Sequence, residues 1–119
     1  CGFGIVIGWV QVLRDLRLAI AIFAMHQRPG VNWKVEDLAR EAGLSRSLFA
    51  ERFLAATGTT PARYLTELRM RLAVQYITHE GQALEKVAFS LGYQSLAAFS
   101  RAFKRITGQP PGALRATAR

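Results

Sequence analysis

The sequence predicts an all-α fold of two helix-turn-helix modules joined by a long linker helix. Three observations carry that prediction: an internal repeat, apolar residues at helical spacing within each copy, and no useful run with the alternating period of a strand. From Ser45, Phe49 follows at +4, Phe53 at +8, Thr57-Gly58 at +12 and +13, and Pro61 at +16. From Ser95, Phe99, Phe103, Thr107-Gly108 and Pro111 fall at the same offsets. Upstream, Leu38-Ala39 with Gly43 matches Val87-Ala88 with Gly92, and the second copy carries one extra residue between glycine and serine.

The first expected element is a helix over Trp9 to Met25, with Trp9, Leu13, Leu16, Ile20 and Phe23 or Ala24 available to cover the first module. His26 to Lys34, with Pro29-Gly30, reads as loop. Val35, Leu38, Ala39 and Ala42 then recur at helical spacing, Gly43 suits the left-handed residue that ends a helix, and Ser45 is a preferred N-cap. The second helix of this module runs from Arg46 to about Thr57, burying Phe49, Phe53 and Ala56, and Gly58 stops it. Thr60 and Pro61 read as cap and first-turn proline of the linker helix, whose stripe is Tyr64, Leu65, Leu68, Leu72, Tyr76 and Ile77. About 17 residues make a rod of roughly 26 Å at about 1.5 Å per residue. In the second module Leu84, Val87, Ala88 and Leu91 form a short helix, Gly92-Tyr93-Gln94 a turn, and Ser95 a cap. Phe99, Phe103 and Ile106 make the buried side of the helix that follows, ended by Gly108 and Pro110-Pro111. The expected division is an apolar stub at 1–8, a first module at 9–59, the linker helix at 60–80, and a second module with a basic C-terminus at 81–119.

The chain has 119 residues, enough for one domain or two very small ones, and half of them are apolar. Sixteen Lys and Arg against eight Asp and Glu leave a formal charge of +8, which calls for an anionic partner. The excess is uneven, since no acidic residue follows Glu85. One cysteine, Cys1, excludes an internal disulfide and a Cys-rich zinc site, and His26 and His79 are too far apart for a helical metal pair. No metal or cofactor is expected. Neither histidine falls in a nucleophile pattern and no glycine-rich phosphate loop occurs, so an enzyme is not expected. The apolar start, Cys1 to Leu13, is shorter than the ~20 residues of a spanning helix, and no basic segment precedes it. A cytoplasmic, nucleoid-associated protein is the expectation. A first residue other than Met points to a piece of a longer protein or to a processed terminus.

A helix, a tight glycine turn and a serine-capped second helix form the unit that sets its second helix into the major groove, about 12 Å wide. Duplicated on a rod able to hold two such helices about one DNA turn (~34 Å) apart, it points to double-stranded DNA. On the first recognition helix, the face opposite Phe49 and Phe53 is read as Arg46, Ser47, Ala50 and Glu51. Arg46 suits guanine O6 and N7 or a phosphate, Ser47 a base edge or the backbone, Ala50 a thymine methyl, and Glu51 the cytosine N4 amino group. Glu51 can instead pair with an arginine. On the second helix the corresponding set is Leu96, Ala97, Ala98 and Arg101. Gln94 and Ser95, at the helix N-terminus, are assigned to phosphate, as are Arg52, Arg69, Arg71, Lys104 and Arg105. Trp33, Phe49, Phe53, Tyr76, Phe99 and Phe103 are read as core. Protein docking through the helical surfaces, or membrane association of the apolar start, are the competing readings; the first predicts binding insensitive to salt.

From about Trp33 to Arg115 the residues also resemble the AraC/XylS-type transcription regulators. The resemblance rests on Val35-Glu36-Asp37-Leu38-Ala39, Gly43-Leu44-Ser45-Arg46-Ser47, Phe53, Gly58, Pro61, Tyr64-Leu65 and Arg69-Met70. It continues through Gly92-Tyr93-Gln94-Ser95, Phe99-Ser100-Arg101-Ala102-Phe103-Lys104, Gly108, Pro111 and Arg115. It implies a homeodomain-like domain of about seven helices that recruits or positions RNA polymerase at bacterial promoters, as an activator or other regulator. A preceding effector or dimerisation domain is implied too, with residues 1–8 as its stub. The chain departs from the family at three positions. Lys34 stands where Thr or Ser often caps the first helix, a loss of about 1 kcal/mol unless Asn32 substitutes. Glu51 stands where many members have Arg, and Leu114 where many have an aromatic.

Overall fold

The computed structural model describes residues 15–117. Seven helices and no strand lie within them: α1 Leu16–Gln27, α2 Val35–Ala42, α3 Arg46–Thr57, α4 Pro61–Thr78, α5 Leu84–Ser90, α6 Leu96–Thr107 and α7 Gly112–Thr117. The all-α expectation and the count of about seven helices therefore hold. The expected stub at 1–8 and the start of the first expected helix lie outside the described residues.

The chain divides into two compact units. One takes the described residues to Arg28 together with Trp33–Leu65; the other takes Pro29–Asn32 together with Thr66 onward. The boundary falls inside the continuous helix α4. That helix starts where Thr60 and Pro61 predict, with Thr60 Oγ1 accepting from the Arg63 N–H at 3.2 Å.

In the first unit α1, α2 and α3 pack on one another. Leu18, Ala21, Ile22, Met25, Leu38, Ala39, Ala42, Phe49 and Phe53 are buried. The Phe53 and Tyr64 rings meet edge to face at 5.6 Å, and the His26 ring nitrogen lies 2.8 Å from the Tyr64 hydroxyl. Asp15 starts α1 by accepting from the Arg17 and Leu18 N–H groups at 3.2 and 3.3 Å. The helix thus begins at Leu16, and it buries a face other than the expected one. Leu16, Ile20 and Phe23 are 70%, 52% and 63% exposed; Trp9 and Leu13 lie outside the described residues. The reason is compositional: Leu16–Gln27 is apolar on nearly every side, so a 3.6-residue period does not single out one stripe.

Helix α2 is capped differently from the family habit. Lys34 takes the N-cap position with extended backbone, and an ammonium accepts no hydrogen bond. Asp37, rather than Asn32, compensates, its carboxylate accepting from the Lys34 N–H at 3.1 Å within the first turn. Trp33 is half-buried, its indole N–H donating to the Arg28 carbonyl at 2.8 Å, so it closes the loop instead of filling the core.

The second unit is built round Met70, Ala73, Ile77, Val87, Ala88, Leu91, Phe99, Ala102 and Phe103, with Leu72, Tyr76, Leu84, Tyr93 and Leu114 packed against them. Two residues expected in this core lie at or beyond its edge. Tyr76 is half-buried at the margin of this core, and Ile106 is 40% exposed, because Phe99, Ala102 and Phe103 already fill the inner side of α6.

The repeat extends to its hydrogen bonds. Thr57 Oγ1 donates to the Phe53 carbonyl at 2.8 Å and accepts from the Thr59 N–H at 3.3 Å. Thr107 Oγ1 does the same with Phe103 at 2.7 Å and Gln109 at 3.4 Å. The threonine that recurs in the sequence is a local clasp at each recognition helix's C-terminus.

Candidate nucleic-acid interface

Each recognition helix begins at a serine. Ser45 Oγ accepts from the Leu48 N–H at 3.2 Å and Ser95 Oγ from the Ala98 N–H at 3.1 Å, filling one of the donors a helix N-terminus leaves open. The turns before them differ in length, yet both contain a left-handed glycine, Gly43 at φ 69° and Gly92 at φ 90°.

At about 100° per residue, the solvent side of α3 is the row Ser47, Glu51, Leu54 and Ala55, with Leu48 beside it. Ala50 is half-buried on the flank. Arg46, at the start of the helix, is exposed, and its Nη1 lies 3.3 Å from Glu36 Oε1 on α2. Arg52 is also exposed, with Nη1 3.5 Å from Asp15 Oδ2, the carboxylate that caps α1. Both cations of α3 thus face carboxylates of their own unit. Glu51 projects from the outer row and makes no ion pair among the described residues.

The solvent side of α6 is Ala97, Arg101, Lys104 and Arg105. None of these three cations makes an ion pair among the described residues. Leu96, Gln94 and Ser95 are exposed at the entry to the helix, and Ala98 is half-buried on its flank. The spacing at which Phe49 and Phe53 point inward contains the outer row as its complement. Leu48, Leu54 and Ala55 follow from it as well, although they were not among the expected contacts.

Two predicted phosphate ligands sit on α4. Arg71 is exposed, in an open groove with Glu67, Met70, Val74, Ile106 and Thr107. Arg69 is half-buried and two of its nitrogens are engaged: Nε donates to the Pro29 carbonyl at 2.7 Å and Nη2 to the Val31 carbonyl at 2.9 Å. Its guanidinium also lies over the Tyr93 ring, 5.6 Å from the centroid. It acts as a staple between the 29–32 loop and the turn before α6. Sequence spacing carries no signal for such a bond, which joins residues about 40 apart in the chain.

Burial raises the Tyr93 pKa above its ordinary 10.0, outweighing the opposing pull of the Arg69 cation and, more weakly, of Arg105. The folded protein therefore keeps this phenolic proton at a pH where the unfolded chain loses it. The associated stability is complete below about pH 10 and declines above it. Tyr93→Phe is expected to flatten the fall of Tm on the alkaline side of pH 10; parallel curves for the two proteins would show that Tyr93 ionises alike in both states.

Among the described residues, no three His, Cys, Asp or Glu side chains are grouped to hold a metal ion, and no helix is long and apolar enough to cross a membrane.

A family model described as a helix-turn-helix domain matches residues 38–117. A Streptomyces lividans protein named as an AraC-like transcription regulator is 43% identical over 105 residues, covering 88% of this chain and 34% of its own length. The RCS-specific HTH-type transcriptional activator RclR of Escherichia coli is 41% identical over 106 residues, covering 89% of this chain and 37% of its own. The chain thus spans about a third of the length of the curated relatives it matches. Among solved structures, the DNA-binding domain of AdpA, a global transcriptional factor in complex with a target DNA, superposes with a TM-score of 0.80 at 30% identity, covering 86% of this chain and 92% of that one.

Proposed function

This chain belongs to the AraC-type helix-turn-helix family of transcription regulators, and from that membership we propose that it binds double-stranded DNA sequence-specifically and serves as the DNA-binding part of a regulator. The two modules read two successive major-groove segments. The observation that carries this reading is the outer row of α6, where Arg101, Lys104 and Arg105 make no ion pair among the described residues and lie on a serine-capped second helix. The AdpA domain, of similar fold, is a DNA complex, which supports the same role here.

In this reading Arg101 contacts a guanine edge, Ser47 and Glu51 face bases from α3, and Leu96 and Ala97 offer apolar contact to thymine methyls. Lys104 and Arg105 hold phosphates, with Gln94 and Ser95 at the entry to α6 and Arg71 on α4 as further backbone contacts. Arg46 and Arg52 reach DNA only by leaving Glu36 and Asp15. The role is one of binding without catalysis, in the bacterial cytoplasm, with RNA polymerase as the protein partner and an effector or dimerisation domain elsewhere in the full regulator.

Selection of duplexes from a random pool, followed by fluorescence anisotropy on the winner and on a scrambled control, tests the reading. Two base clusters about one helical turn apart and a large preference for the winner are expected. Absence of binding at low salt would overturn it in favour of a protein-docking role. Arg101→Ala is expected to cost about 1–3 kcal/mol and to relax preference at one base position; an unaltered base preference would remove Arg101 from the readers.

A further inference from the structure

We propose that the two modules divide the work on DNA unequally: α6 anchors the protein to phosphate, while α3 adds discrimination and little electrostatic affinity. The inference rests on the DNA-binding reading above.

The repeat makes the two helices comparable position by position, because each residue of α3 has its counterpart fifty places on. Ser47 corresponds to Ala97, Glu51 to Arg101, Leu54 to Lys104 and Ala55 to Arg105. Every cation in the outer row of α6 therefore has an apolar or acidic residue as its counterpart in the repeat on α3. The two arginines that α3 does carry are neutralised locally, Arg46 by Glu36 at 3.3 Å and Arg52 by Asp15 at 3.5 Å. Surrounding charge deepens the contrast. Residues 9–59 hold seven Lys and Arg against five Asp and Glu, whereas residues 81–119 hold six against Glu85 alone.

A free cation brought to a phosphate displaces about one condensed counterion, and this displacement supplies most of the salt-dependent affinity. A cation already beside a carboxylate brings no net charge and displaces correspondingly less. Glu51 works in the opposite direction, since an exposed carboxylate near the phosphate backbone is repelled. It is tolerated only where a base edge donates to it, as the cytosine amino group does, while guanine and thymine present acceptors there. A face of that kind rejects wrong sequences more than it attracts right ones. Lys104 and Arg105 in the outer row of α6 hold the duplex at any sequence, with Arg101 beside them as that row's base reader, and the outer row of α3 penalises the wrong sequence.

The slope of log affinity against log salt, measured on the selected duplex, tests the division. K104Q and R105Q are each expected to flatten it by about 0.9, one phosphate contact apiece. R46Q and R52Q are expected to change it by less than half as much. E51Q is expected to raise affinity for a scrambled duplex several-fold and to narrow the gap between selected and scrambled DNA. All five positions are exposed, and thermal unfolding of each variant checks that the fold is kept. Equal flattening by the α3 and α6 variants, or an unchanged slope in K104Q and R105Q, would overturn the division while leaving DNA binding intact. If the unmodified protein binds no duplex at low salt, the DNA-binding reading itself fails.

Discussion

Phe99→Ala is expected to destabilise the second unit by about 3–5 kcal/mol, the range for emptying a fully buried aromatic site. Phe99 has no solvent exposure and lies between Tyr93 at 5.6 Å and Phe103 at 5.7 Å, ring centroid to ring centroid. It therefore joins the turn before α6 to the inner face of α6. Deleting the ring leaves a void between two other rings, in the same buried cluster as Val87, Ala88 and Leu91, and a helical core relaxes only partly into such a void. A cost of this size is comparable with the whole stability of a small domain. The variant is expected to unfold at a much lower urea concentration and to lose its hold on DNA, while Phe49, its counterpart in the first unit, stays packed against Phe53. Urea titration followed by circular dichroism measures the shift, and a loss under about 1 kcal/mol would mean that Phe99 packs far less tightly than its burial implies.

The second large effect is expected at Gly30, for a reason of space alone. A Cβ added there would run into the Ser90 carbonyl oxygen and the backbone around Gly92. Opposite it, a Cβ on Gly92 would lie 2.5 Å from the Gly30 carbonyl oxygen and 3.0 Å from Arg69 Nη2. Two glycines thus let two backbone segments touch, and both obstacles are main-chain atoms that cannot swing aside. Gly30→Ala is expected to cost about 1–3 kcal/mol by overpacking. Gly92→Ala should cost more, because its left-handed φ of 90° is added to the clash. Gly43→Ala is the control: it shares a positive φ but has no atom within 4 Å of the added carbon. If chemical denaturation ranks Gly43→Ala as more damaging than Gly30→Ala, the close approach is not what these glycines are for.

What the sequence revealed and what it hid follow a physical line. Helix starts were legible because their causes are local: Ser45, Ser95 and Thr60-Pro61 act within three residues of themselves, and the structure repeats those bonds. The inner faces of α3 and α6 were legible from Phe49, Phe53, Phe99 and Phe103, since apolar residues of one side alternate with polar residues of the other. Helix α1 was not, because its neighbours along the chain are apolar on both sides and only tertiary packing selects Leu18 and Met25 over Leu16 and Phe23. Met70 and Ala73 were missed in α4 because they fall outside the stripe of Tyr64, Leu65, Leu68, Leu72, Tyr76 and Ile77 that the spacing suggests, and burial there is decided by packing. In the candidate site, the positions of Ser47, Glu51 and Arg101 on outer faces were readable, whereas the partners of Arg46, Arg52 and Arg69 were not. A carboxylate or carbonyl brought in from another element leaves no trace in local spacing, and it decides whether an arginine is available to a ligand.

The loop at Pro29–Asn32 bears on how this domain can be cut and recombined. It is encoded between α1 and α2, yet it belongs to the second unit, where it supplies the carbonyls that Arg69 grips and the glycine that Gly92 packs against. A fragment begun at Thr66 would carry the whole of α5 and α6 but would leave Arg69 without its two acceptors and Gly92 uncovered. The same holds for a chimera that exchanges the second half of the chain between relatives: a junction in α4 alone separates the arginine from the loop whose carbonyls it grips. The transferable piece is discontinuous, and a graft that includes residues 29–32 together with the C-terminal half carries the unit whole.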